Sequence, residues 1–411
     1  MKFHWFHLMP YPELPEDFRE KYHSSAVDVP STLFDPAIGH RAYNDYLDEL
    51  EYAADVGFDG ICVNEHHQQA YGMMPSPNLM AAALARRTTR DTGLVVLGNS
   101  IALYNPPTRV AEEFAMLDVI SGGRLIAGLP VGTAMDTVYA YGETPVVLRE
   151  KYREAHDLII RAWTEPEPFT FNGKYTQLRY VNTWPRPLQK PHPPIWVPGG
   201  GSIETLEWIT EKEYLMANLS YGGYLAAKNA MDSYWKLVDD MGKEPNPYRA
   251  GFLQLIGVSE TDEQAEEDYA EAAEYFYKKC LYIDRGFADV AGYRSIRSLE
   301  ASVRSGRQSS SAMFSGKQGW QDYLKQGNII AGGPERVIEQ VRDLAKSLRV
   351  GHLMMLLQFG NMSKEQTMKN TRLFAEKVMP ELRDLWDDEW EDKWWMRPLA
   401  AEQTAVPAAV K

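Results

Sequence analysis

Cysteine is scarce in this chain: Cys62 and Cys280 are the only two in 411 residues. A disulfide scaffold is therefore excluded, and a reducing cytoplasm is the expected compartment. Basic charge is in deficit too, with 43 Lys and Arg against 57 Asp and Glu and a net charge of −14. Nucleic acid as the main partner drops out on that ground, although one locally held small anion does not. No apolar run approaches the roughly 20 residues that cross a bilayer, so no membrane partner is expected. The opening "MKFHWFHLMP" is too short and too polar for a signal peptide. Also missing is the glycine fingerprint of a dinucleotide-binding open sheet, because the first apolar run leads into "PYPELPEDF".

What the chain does have is a repeat of short apolar runs and amphipathic helices. "KFHWFHLM", "FDGICVN", "TGLVVLGNSIAL", "GRLIAGL", "PPIWVPG", "EYLMANLS", "FLQLIGVS" and "GHLMMLLQF" read as eight strands. Helical spacing between them is clear in "YNDYLDELEYAADVG", in "PTRVAEEFAMLDVIS" and in "GPERVIEQVRDLAKSL". The apolar runs are continuous rather than alternating, as in strands covered on both faces. A (β/α)8 TIM barrel over residues 1–385 is the economical arrangement. Residues 262–328 interrupt the repeat before the last helix–strand pair and are expected to form a helical insertion or lid. Residues 386–411 form an aromatic, acidic and then Ala/Pro-rich tail.

Chemistry in such a barrel sits at the carboxyl ends of the strands. Glu65, His66 and His67 end the second strand, and Asn99 and Ser100 end the third. Gly200, Gly201 and Ser202 follow the fifth and open a helix. That glycine run offers backbone N–H groups and a hydroxyl at a helix start, which suits a phosphate, though it is also an ordinary N-cap. The histidine pair admits a metal site, an acid–base role or a structural one. No spacing with His4, His7, His156, His192 or His352 completes a metal site, so none is expected. His66 is read as the inward acid–base group, with Glu65 orienting or charge-balancing it and His67 packed outward. Cys62 is read as core.

In order, "GFDGICVNEHH", "PSPNLMAAALARRT", "LGNSIALYNPPTRVAEEFAMLDVISGGRLIAGLPVG", "PPIWVPGGGS", "GGPERVIEQV" and "LFAEKVMP" resemble the bacterial luciferase-like flavin monooxygenases. The likeness spans most of residues 1–260 and 328–380. It implies a (β/α)8 fold that binds FMN, usually reduced flavin supplied by a separate flavin reductase. With O2 that flavin forms a C4a-(hydro)peroxide, which oxygenates a small-molecule organic substrate such as an aldehyde or ketone. The resemblance also implies His66 beside flavin and substrate, and Asn99 and Ser100 against the isoalloxazine. Gly200, Gly201 and Ser202 would hold the phosphate, and the assembly would be a homodimer or larger. Arg109 corresponds to a structural arginine, paired with Glu112 or Glu113. Val131 stands where luciferase has a phosphate-binding arginine, and Tyr139 and Tyr141 just downstream become candidate flavin contacts. Three alternatives stay open: a deazaflavin-dependent dehydrogenase, a catalytically silent flavin-binding protein and a metal-dependent barrel hydrolase.

Overall fold

Short apolar runs with no two-residue alternation become strands buried on both faces. The computed structural model describes residues 1–88, 91–199, 202–304 and 318–393. Among them eleven strands form. They are β1 (Lys2–Phe6), β2 (Gly60–Val63), β3 (Gly93–Val96), β4 (Leu125–Gly128), β5 (Phe169–Asn172) and β6 (Gln177–Val181), then β7 (Ile195–Gly199), β8 (Leu215–Asn218), β9 (Ala250–Val258), β10 (Ile329–Gly332) and β11 (His352–Leu356). Eight of them close a parallel ring, β1-β2-β3-β4-β7-β8-β9-β11 and back to β1. The fold is the expected TIM barrel, and each expected strand falls on its apolar run, β9 alone starting two residues before "FLQLIGVS".

Two features were not read from the sequence. β5 and β6 form an antiparallel hairpin outside the ring, and β10 pairs with the carboxyl half of β9, Ile329 opposite Leu255. Both are short. "FTFN" and "QLRYV" are largely exposed, so no buried face marks them, and "IIAG" is four residues hidden before a helix.

The ring is covered by helices whose starts are written in the chain. Pro36, Pro77 and Pro334 each open one at a position where the missing N–H costs nothing. In Pro334–Leu348, Val337, Val341, Leu344 and Leu348 make the single buried stripe that their spacing requires. The ring's interior is packed, not hollow. At its amino end His4 Nε2 meets His352 Nδ1 at 3.1 Å, and both rings lie 5.0 Å from Trp196.

Between β9 and β10 runs the segment expected as an insertion. It contains the helix Asp262–Tyr275, a π-helical continuation Phe276–Cys280, and the shorter helices Arg285–Ala288, Ile296–Arg304 and Trp320–Lys325. The start of the tail packs on the barrel: Trp386 Nε1 donates to Val350 O at 3.0 Å, and the terminal amine of Met1 donates to Leu385 O at 2.9 Å. Among the described residues no helix is long and apolar enough to cross a membrane.

Candidate active site

Past Val63 the chain leaves β2, so residues 64–67 carry no strand alternation. His66 and His67 nevertheless divide, because each meets a different carboxylate. His66 Nδ1 lies 3.2 Å from Asp136 Oδ2, and its ring stands edge-on to Tyr71 at 4.6 Å. Gly72 is needed beside it: a Cβ there would come within 2.9 Å of His66 Cδ2. His67 Nε2 lies 3.3 Å from Glu65 Oε1, and its ring packs against Tyr141 at 4.5 Å. The expectation that Glu65 serves His66 is therefore corrected. The carboxylate beside His66 is Asp136, delivered by the turn after β4.

Asp136 gathers four donors: His66 Nδ1, the His67 N–H at 2.7 Å, Gln69 Nε2 at 2.7 Å and Thr133 Oγ1 at 2.7 Å. Burial pushes its carboxyl upward. The charge and hydrogen bond of His66, with those of Thr133 and His67, outweigh that and leave it below the ordinary value. Glu65 behaves alike. Burial raises it, but the bonds from His67, the Ser100 N–H and the Tyr104 hydroxyl bring it below the usual carboxylate value. Ser100 N donates at 2.5 Å and Tyr104 at 2.7 Å. The tips of β2, β3 and β4 are thus stitched together through two ionised carboxylates.

Asn99 sits in the left-handed backbone region (φ 73°), and its amide exchanges two hydrogen bonds with Asn78, at 3.0 and 2.8 Å. Its side chain is tied to the covering helix. Tyr139 donates to Gly286 O at 3.0 Å and packs edge-on against Phe287 at 5.0 Å, so it clasps the insertion. Arg109 pairs with Glu113 at 2.5 Å, a surface contact as expected. Cys62 is buried in β2. Gly200 and Gly201 lie outside the described residues. Ser202 is an N-cap: its Oγ accepts from Thr205 N at 3.4 Å and meets Thr205 Oγ1 at 2.9 Å.

Above that helix start lies a cation that sequence reasoning missed. Arg149 Nη1 donates to Thr205 Oγ1 at 3.0 Å, while its buried Nε has no hydrogen-bond partner among the described residues. In sequence Arg149 is one charge among many on an amphipathic helix, and only the tertiary contact marks it. Asp136 had a fainter signal, a lone acid directly after the small-residue stretch "PVGTAM" that follows a strand. Among the described residues no three His, Cys, Asp or Glu side chains gather as a metal-sized cluster.

His66 also lines a cavity of about 440 Å³ walled by the segment after β1 and the loop after β2. Ser202 is not among its lining residues, so this chamber and the helix start after β7 are separate features of the carboxyl-end rim.

The family profile described as luciferase-like monooxygenase matches residues 22–350. The chain belongs to the luciferase-like monooxygenase family. It is accordingly an oxidoreductase. Limonene 1,2-monooxygenase of Rhodococcus erythropolis is 29% identical over 273 residues, 61% of this chain and 66% of that one. An F420-dependent glucose-6-phosphate dehydrogenase of Intrasporangium calvum is 32% identical over 169 residues, 38% of this chain and 48% of its own. Among solved structures, the monooxygenase RslO1 from Streptomyces bottropensis superposes with a TM-score of 0.68 at 21% identity, covering 92% of this chain and 99% of that one. The oxygenating constituent of 3,6-diketocamphane monooxygenase from Pseudomonas putida, in complex with FMN, gives 0.66 at 17%, covering 92% and 98%. Both likenesses concern the fold. The family includes oxygenases and F420 enzymes, so membership settles the barrel and the redox class and leaves the cofactor to be argued.

Proposed function

We propose that this family member is an FMN-dependent monooxygenase. It takes reduced flavin from a separate reductase and transfers one oxygen atom of O2 to an organic substrate. The observation that carries the proposal is the His66–Asp136 pair, a buried imidazole fixed by an ionised carboxylate and lining a cavity large enough for a small molecule.

The residues fit a flavin's phosphate. Arg149 offers a buried, unpartnered N–H beside a helix start, with the Ser202 and Thr205 hydroxyls next to it. This cation answers the absence of one at Val131. Bound reduced flavin supplies the electrons that activate O2, chemistry no side chain performs. The chain's part is position and proton control. Asp136 holds the proton of His66 on Nδ1, which leaves Nε2 to accept a proton from, or return one to, a substrate oxygen. Glu65 binds the Ser100 N–H and the Tyr104 hydroxyl, so the β2 and β3 tips keep one geometry. The insertion, clasped at Tyr139, shields the mouth from water.

The test is an anaerobic titration with reduced FMN followed by admission of air and substrate. Flavin binding with organic product in the wild type, and flavin binding without product in His66→Ala, is the expected pair of results. Full turnover in His66→Ala removes the imidazole from the mechanism. A deazaflavin-dependent dehydrogenase is the second reading, favoured by the F420 relatives. It requires tight F420 binding and no oxygen uptake, and the same titration run with F420 separates the two.

A further inference from the structure

We propose that the cavity beside His66 takes a neutral, mostly apolar molecule bearing one hydrogen-bonding oxygen, and that it rejects phosphorylated, sulfonated and polycarboxylate substrates. For the reaction this rests on the monooxygenase proposal, but the binding claim stands on the wall chemistry alone.

Among the described residues lining the cavity none is Lys, Arg, Asp or Glu. Leu14, Val27, Val29, Leu33, Phe34 and Met73 supply most of the apolar wall. Most of the polar atoms set deep in that wall are already engaged. Tyr43 donates to Met73 O at 2.6 Å, the Tyr11 hydroxyl accepts from Asp35 N at 3.1 Å, and Gln69 Nε2 serves Asp136, while Gln69 Oε1 is buried with no partner among the described residues. Ser31 and Gln68 stand at the exposed rim. His66 is different: Nδ1 is taken by Asp136, and Nε2 has no partner among the described residues. The deep wall therefore offers a ligand His66 Nε2, little other unengaged polar chemistry and otherwise hydrocarbon, the usual composition of a small-molecule pocket.

Charge decides the rest. The fixed charges behind the imidazoles are the carboxylates of Asp136 and Glu65, each already surrounded by its own donors. An anion seated beside His66 would lose its water, meet no cation in the wall and face like charge behind it. A ketone, aldehyde or alcohol loses little water and gains the apolar contact.

The measurement is calorimetric titration of the full chain without flavin, using 2-nonanone and octanesulfonate, ligands of similar apolar length and different charge. The ketone is expected to bind at least tenfold more tightly than the sulfonate. Val29→Trp, at the half-buried edge, is expected to weaken the ketone at least tenfold by filling the space. Val29→Lys is expected to reverse the preference by placing a cation in the wall. Thermal melting of each variant checks folding. A sulfonate that binds as well as the ketone, ketone binding unmoved by Val29→Trp, or no ketone binding at all overturns the proposal. Reduced FMN is titrated separately. If the ketone preference holds while flavin fails to bind, the monooxygenase proposal falls and the cavity assignment stands.

Discussion

Asp136 accepts four hydrogen bonds with two oxygens, the His67 N–H and Gln69 at Oδ1 and the Thr133 hydroxyl and His66 at Oδ2. An asparagine offers one acceptor oxygen and turns an NH2 toward two donors. Asp136→Asn is therefore expected to release His66 from its tautomer and to lower product formation by about tenfold or more, within the range of general acid–base contributions. Flavin affinity should change little, since Arg149 and Ser202 belong to a different part of the rim. Steady-state rates beside a flavin titration check it, and an unimpaired Asp136→Asn enzyme would show that the imidazole needs no such anchor. Arg149→Met is the mirror case. A charge-assisted hydrogen bond to phosphate is worth about 1.5–3 kcal/mol, so flavin binding should weaken by roughly ten- to a hundredfold with the cavity's ketone affinity intact. His66 was legible from sequence because it ends an apolar run at the functional edge of a barrel. Its partner was not, because the pairing joins positions 70 residues apart and no local pattern encodes that contact.

At the scale of elements, the insertion was visible as a break in the strand–helix rhythm, whereas its grip on the barrel was not. The segment after Ile283 crosses the rim in a chain of contacts. Tyr139 donates to Gly286 O and packs on Phe287, and the Tyr293 hydroxyl bonds Gly132 O. Ser295 and Ser298 bond Glu204, and Arg297 pairs with Glu207. Sequence placed Tyr139 against flavin because it follows the fourth strand. The structure gives it to the insertion, since the π-helical turn Met135–Ala140 carries its ring outward, 43% exposed. Gly132 makes that turn possible with φ at +94°, where a side chain would be strained and would also meet Thr137 and Ser100. The double variant Tyr139→Phe, Phe287→Ala removes one hydrogen bond and one ring contact, about 1–2 kcal/mol together. Amide exchange over residues 284–293 should quicken. If the segment excludes water, oxygen uptake should continue while organic product per O2 consumed falls. An unchanged product yield with faster exchange would limit the segment to a structural role.

At the scale of the whole molecule, the barrel's closed end stores ionisable groups in neutral form. The ring's topology was readable from eight apolar runs, but the sequence does not announce that two of them point histidines into the same interior layer. His4 and His352 are fully buried on adjacent strands, in register at Lys2–His352 and His4–Met354, and Trp196 closes the layer. Burial pushes the His4 imidazole down to about 3, and burial with the neighbouring His4 pushes His352 well below its ordinary value. The unfolded chain takes up these protons near pH 6.5, and the folded barrel does not. The stabilisation is therefore complete above the unfolded value and is lost as pH falls from about 6.5 toward 3, by about 1.4 kcal/mol per pH unit for each such group. Denaturant midpoints at pH 8, 7, 6 and 5 should hold steady between the first two and then decline. His4→Gln keeps a hydrogen-bonding side chain beside His352 and removes one titrating group. Its absolute stability is expected to drop, but its slope below pH 6.5 should be shallower than the wild type's by one group's share. Because every other ionisable group is common to both proteins, equal slopes would mean that His4 is protonated alike in the folded and unfolded chains, and that the interior layer is open to water.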